Sequence, residues 1–135
     1  MGNQNQSAQT AQATQSGQAA DETISRALDY MWERHRSQIL ERVAVLEAAA
    51  SAVTAKTLTE SEREAAHAAA HKLAGTLGMF NLARGTDLAR ELDLAYSNES
   101  ALAAASGAHL ASLAAELRTM IENREAGIER PASGS

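Results

Sequence analysis

The sequence predicts an all-α domain: an antiparallel up-down bundle of four helices behind a disordered N-terminal tail. Three observations predict it. The hydrophobic fraction is 44% while the aromatic fraction is only 3%, so alanine supplies much of the apolar count, as in helices packed closely through small side chains. A single Pro stands in 135 residues, leaving few enforced breaks. Apolar positions recur at spacings of three, four or seven over most of the chain. That length suits one domain of ordinary size.

Residues 1–20 carry no charge, and Gln6, Gln9, Gln12, Gln15 and Gln18 recur every third position. That spacing makes no apolar face, so the segment buries too little to offset its ordering entropy. A disordered tail is expected there. Charged residues start at Asp21, which opens a bundle expected over 21–127, with a flexible tail at 128–135. Gly127 and Pro131 supply the stop signals. The first helix places Ile24, Leu28, Met31, His35, Ile39, Leu46 and Val53 on one stripe and runs to about Ala55, unbroken or in two pieces. Asp21 and Glu22 suit its N-terminal dipole. Thr59-Glu60-Ser61-Glu62 reads as a capping box opening a second helix, which runs to about Gly78. A third is expected over roughly Leu82 to Tyr96, with Leu88 and Leu92 inward. Ser97 or Asn98 caps a fourth, with the stripe Leu102, Ser106, His109, Leu113, Leu117 and Met120. Short connections favour antiparallel neighbours.

Several functions are disfavoured at once. The chain has no Cys, which removes disulfides, thiolate nucleophiles and Cys-based metal sites. Its net charge of −5 gives no electrostatic reason to bind nucleic acid or acidic lipid. No apolar run approaches the roughly 18–20 residues of a membrane span, and the N-terminus lacks the features of a secretory signal. Met1-Gly2 lacks the Ser or Thr that myristoylation wants at position 6, where Gln6 stands. A cytoplasmic protein is expected.

The second helix carries the chemistry. Stepping about 100° per residue from Leu73 puts Ala66, Ala69, Ala70, Leu77 and Phe80 within roughly 60° of it, on the core face. His71 falls about 160° away, in an outer sector shared with Glu64, His67, Ala68, Gly75 and Gly78; Lys72 lies on the flank. Each glycine costs about 0.5–1 kcal/mol relative to Ala within a helix. Gly78 is explained as a C-cap. Gly75 is not, and the missing side chain clears the surface beside His71 for a partner's close approach. An exposed imidazole is a good nucleophile near neutral pH if one nitrogen carries the proton and is held by an acceptor. Glu91 and Asp93 on the third helix offer such acceptors. No phosphate-binding glycine loop is present, so the activating group must come from a partner.

The stretch Ala70-His71-Lys72-Leu73-Ala74-Gly75-Thr76-Leu77-Gly78-Met79-Phe80-Asn81-Leu82 resembles the signature of histidine phosphotransfer (HPt) domains of multistep phosphorelays. The specific part extends from His67 to Leu94. The resemblance implies that His71 is a phospho-acceptor, that Gly75 opens access to it, and that Lys72 is a cation near the phosphoryl group. Many members hold the inner ring nitrogen with Glu or Gln twenty-two residues on; here Asp93, one methylene shorter, stands at that position. Ala74 replaces the Lys that many members carry at plus three. Glu64, His67, Ala68 and Gly78 complete the expected docking surface. The partners implied are a response-regulator receiver domain, a hybrid histidine kinase, or both. The receiver is expected to bring its own Mg²⁺, and this chain no cofactor, as a monomeric carrier more than an enzyme.

Competing readings attach to the same residues. His67 is equally a docking residue or a solvated helix histidine, and His35 and His109 are expected as core or boundary residues. Trp32, Leu28 and Met31 read as core or groove. Glu33, Arg34, Arg36, Glu41 and Arg42, with Glu116, Arg118 and Glu122, read as solvated outer faces. His67 and His71 have the i, i+4 spacing of two zinc ligands, but Ala68 replaces the metalloprotease Glu and no third ligand is visible. The stronger competitor is a phosphorylation-silent bundle that binds receiver domains without accepting phosphate.

Overall fold

The computed structural model describes the backbone of residues 2–125 and the side chains of residues 20–125. Five helices and no strand occur among the described residues: α1 (Gly2–Ala55), α2 (Glu60–Met79), α3 (Ala83–Ala95), α4 (Glu99–Ala104) and α5 (Gly107–Glu125). The backbone is therefore helical from Gly2, through the segment expected to be a disordered tail. Gln and Ala have good helix propensity, although the segment has no apolar face. The expected end near Gly127 and the tail 128–135 lie outside the described residues.

The chain divides into two compact units, Met1–His35 and Arg36–Ser135. In the first, Trp32 is buried and Leu28 and Met31 are partly so, as expected of core or groove residues. Ile24, expected on the apolar stripe, is 57% exposed instead. Tyr30 also lies in the open, with the Arg34 guanidinium 5.8 Å from its ring centre.

The second unit holds the candidate site. Thr59 caps α2 through the full box: Glu62 N–H donates to Thr59 Oγ1 at 3.1 Å, and Thr59 N–H donates to Glu62 Oε1 at 2.8 Å. Ala66, Ala69, Ala70, Leu73 and Leu77 form its buried face, as the helical phase requires. At its C-terminal end Phe80 is buried, with the Arg124 guanidinium 5.9 Å from its ring centre. Asn81 then takes φ 58°, a left-handed conformation that Asn tolerates better than most residues. The chain turns there into α3.

Three seams run antiparallel. Between α2 and α3, Arg63 donates to the Tyr96 carbonyl near one end, and Gly78 meets Thr86 near the other. A Cβ on buried Gly85 would lie 3.1 Å from Leu77 Cδ1, so glycine permits the helices to approach closely there. Between α3 and α5, Arg84 donates to Glu116 at 3.0 Å, and His109 pairs with Glu91. Between the C-terminal half of α1 and α5, Arg118 grips Glu47 with two bonds of 2.8 and 2.7 Å, and Arg36 bonds Glu125 at 2.6 Å. Arg36, Arg118 and Glu116, expected as solvated faces, thus connect helices.

The predicted fourth helix is broken in two. Asn98 caps α4 by accepting from Ala101 N–H. Ala105 then turns extended, and Ser106 Oγ accepts from His109 N–H to start α5 afresh. Gly107 makes the close contact that follows: a Cβ there would collide with Thr54 Oγ1 and lie 3.1 Å from the Thr54 backbone.

Candidate functional site

Asp93 draws two histidines of α2 together on the outer side of the α2–α3 seam. Its Oδ2 lies 3.2 Å from His71 Nδ1, and its Oδ1 lies 2.7 Å from His67 Nε2. A carboxylate can only accept, so Nδ1 of His71, which hydrogen-bonds it, is the donor; His67 Nε2 stands against the other oxygen as an ion-pair contact. In the neutral ring of His71 that arrangement leaves the lone pair on Nε2. The shorter Asp side chain does reach the ring. The His71 side chain is 76% exposed, whereas that of Asp93 is only 22% exposed. The His71 ring is open to solvent while its anchor is sheltered.

The surface around His71 is bare. A Cβ added at Gly75 would meet nothing within 4 Å, so glycine is not required there by packing. Gly78 is exposed too, and a Cβ there would make only ordinary contact, 3.7 Å from Thr86 Oγ1. Glu64 and Ala68 lie on this outer face, both exposed, and His67 is partly sheltered. Lys72 is exposed beside the site, while its carbonyl accepts from Thr76 Oγ1 at 2.9 Å. Beyond Gly75, a hollow is bordered by Gly78, Asn81, Thr86, Asp87 and Arg90.

Two residues gain parts that the sequence did not show. His67 is a direct partner of Asp93; its i, i+4 relation to His71 was the available signal, but it does not reveal a shared acceptor. Arg90 comes one turn before Asp93 on the same side of α3, at the border of the hollow. Its periodicity with Thr86 and Asp93 was legible, its exposure was not.

The other acceptor offered on α3 is used elsewhere. Glu91 accepts a hydrogen bond from His109 Nε2 across the α3–α5 seam. His109, expected as a core or boundary residue, has a side chain 58% exposed, although Leu113 and Leu117 of the same stripe are buried. Among the described residues, no group of three or more His, Cys, Asp or Glu is arranged to hold a metal ion. Both oxygens of Asp93 are already engaged by the rings. No helix among the described residues is long and apolar enough to cross a membrane.

Comparison with known proteins follows the same line. The family model described as Hpt domain matches residues 31–127. Protein RcaC of Microchaete diplosiphon is 35% identical over 66 residues, which is 49% of this chain but only 10% of that protein. No solved structure matches the chain.

Proposed function

Because the chain belongs to the Hpt family, whose members serve histidine phosphotransfer in phosphorelays, we propose that His71 carries a phosphoryl group to or from the aspartate of a receiver domain. The observation that carries the proposal is the state of the His71 ring. Its Nδ1–H is engaged by Asp93, and its Nε2 is the open nitrogen beside bare Gly75.

The Nε2 lone pair attacks the phosphorus of the receiver's aspartyl phosphate in line. As the N–P bond forms the P–O bond breaks, and its electron pair returns to the receiver's carboxylate. The imidazole keeps Nδ1–H and becomes cationic, with the Asp93 carboxylate as its counter-charge. The reverse attack by a receiver carboxylate returns the neutral ring. A Mg²⁺ brought by the receiver screens the phosphoryl charge when bound there. Lys72 adds a cation from this chain, and Glu64, Ala68, Gly75 and Gly78 form the face that the receiver meets. Rigid placement of the two partners supplies most of the acceleration. The chain acts as a monomeric carrier in the cytoplasm, charged by a receiver or a hybrid histidine kinase.

The test is direct. With a phosphorylated receiver and Mg²⁺, wild type should acquire an acid-labile, base-stable label, and His71→Gln none. Equal labelling of the two, or no label on wild type, would reject the carrier and leave a silent receiver-binding bundle.

A further inference from the structure

The Asp93 carboxylate lies nearer the ring that is not the acceptor than the one that is. His67 Nε2 lies 2.7 Å from Oδ1, whereas His71 Nδ1 lies 3.2 Å from Oδ2. The first is a close ion-pair contact, whereas the second, at the long end of the normal range, is a hydrogen bond. An aspartate has two soft side-chain torsions, and its terminal one is broad. With only the longer bond to hold it, the carboxylate would turn toward water and release His71 Nδ1.

We infer that His67 is a positioning residue for phosphoryl transfer at His71, acting through Asp93; the inference rests on His71 being the phospho-acceptor. The placement follows from the helix. His67 is one turn before His71, so both rings lie over the same part of α3. His71 Nδ1 hydrogen-bonds Oδ2 while the His67 ring stands against Oδ1 of the same carboxylate, and the contact at Oδ1 limits where Oδ2 can point. The partly sheltered His67 ring is thereby tied to α3, while His71 stays open to a partner. His67 forms and breaks no bond to phosphorus. Its contribution is a defined Nδ1–H tautomer and ring orientation at His71, the kind of support that outer hydrogen-bond partners give to a reacting imidazole.

The experiment compares His67→Ala with His67→Gln, whose side-chain NH₂ can restore a polar contact with Oδ1. Transfer from a phosphorylated receiver with Mg²⁺ is timed, and the His71 tautomer is read from ring ¹⁵N shifts without any phosphate present. His67→Ala should slow transfer about tenfold, the lower end of what losing an outer partner costs, and shift His71 toward a tautomer mixture. His67→Gln should recover much of both. Added to Asp93→Ala, the His67→Ala change should have no further effect, since both act through one carboxylate. Wild-type speed and tautomer in His67→Ala, or an undiminished loss on the Asp93→Ala background, would overturn the inference while leaving the carrier intact. Absence of label on wild type would instead mark failure of the carrier reading, and this inference would fall with it.

Discussion

Helix α3 presents a histidine–carboxylate pair on each of two sides, and the pairs differ in what they leave free. Toward α2, Asp93 holds Nδ1 of His71 and leaves Nε2, the nitrogen farther from the main chain, open. Toward α5, Glu91 holds Nε2 of His109, leaving the nitrogen nearest its own backbone. The residue one turn beyond His71 is Gly75, with empty space where a Cβ would be; one turn beyond His109 is the buried Leu113. Exposure and a nearby carboxylate are common to both. Which nitrogen is engaged, and how clear the approach is, separates them.

The largest break in this comparison should come from the carboxylates. Asp93→Ala is expected to slow phosphoryl transfer about 10–100-fold, whereas Glu91→Ala should leave the rate unchanged in the same receiver assay. A smaller split is expected at the cleared surface. Gly75→Ala should slow transfer several-fold through poorer docking while raising stability by about 0.5–1 kcal/mol in denaturant titration, because the new methyl meets open space. A slower, more stable variant is the signature of a glycine kept for access; a faster one would contradict it.

The α1–α5 seam supplies a comparison in pH. Hydrogen bonding to Arg118 holds the Glu47 carboxyl below its ordinary value. A lowered folded-state value means stability present above the unfolded carboxylate range and lost as acid takes pH down through the folded value. The pair is partly solvated, so the loss should stay under about 1 kcal/mol. Glu47→Gln should remove that part of the acid dependence of urea midpoints and leave His71 chemistry alone. The smallest effect is expected from His109→Ala: a few tenths of a kcal/mol, about the worth of an exposed ion pair, with unchanged transfer.

Features encoded within a few residues were legible in the sequence. The Thr59–Glu62 box and the buried face of α2 depend on spacing along one helix, and both occur as the spacing requires. The outer sector holding His71, Gly75 and Gly78 followed from the same phase. Features that depend on distance between helices were not legible. The reach of Asp93 is set by how near α3 lies to α2, and His67's share in it by the same separation. The misplacement of His109 has a different origin. Counting from Leu102 through Ser106 assumed one uninterrupted helix, while Ser106 is a cap and Ala105 is extended. Leu113 and Leu117 still face inward as counted, whereas His109, in the first turn of α5, pairs with Glu91.

Gly85 ties the packing of this seam to the reach of its carboxylate. It lies eight residues before Asp93 on α3, about 12 Å along the axis, where a methyl would press on Leu77. A wedge at that level would lever the two helices apart, and a short acid has no spare length with which to follow. The reach of Asp93 to His71 at one end of the seam is thus geared to a packing contact toward the other. Exchange of Asp93 for a longer acid would loosen that gearing and let the interior vary more freely.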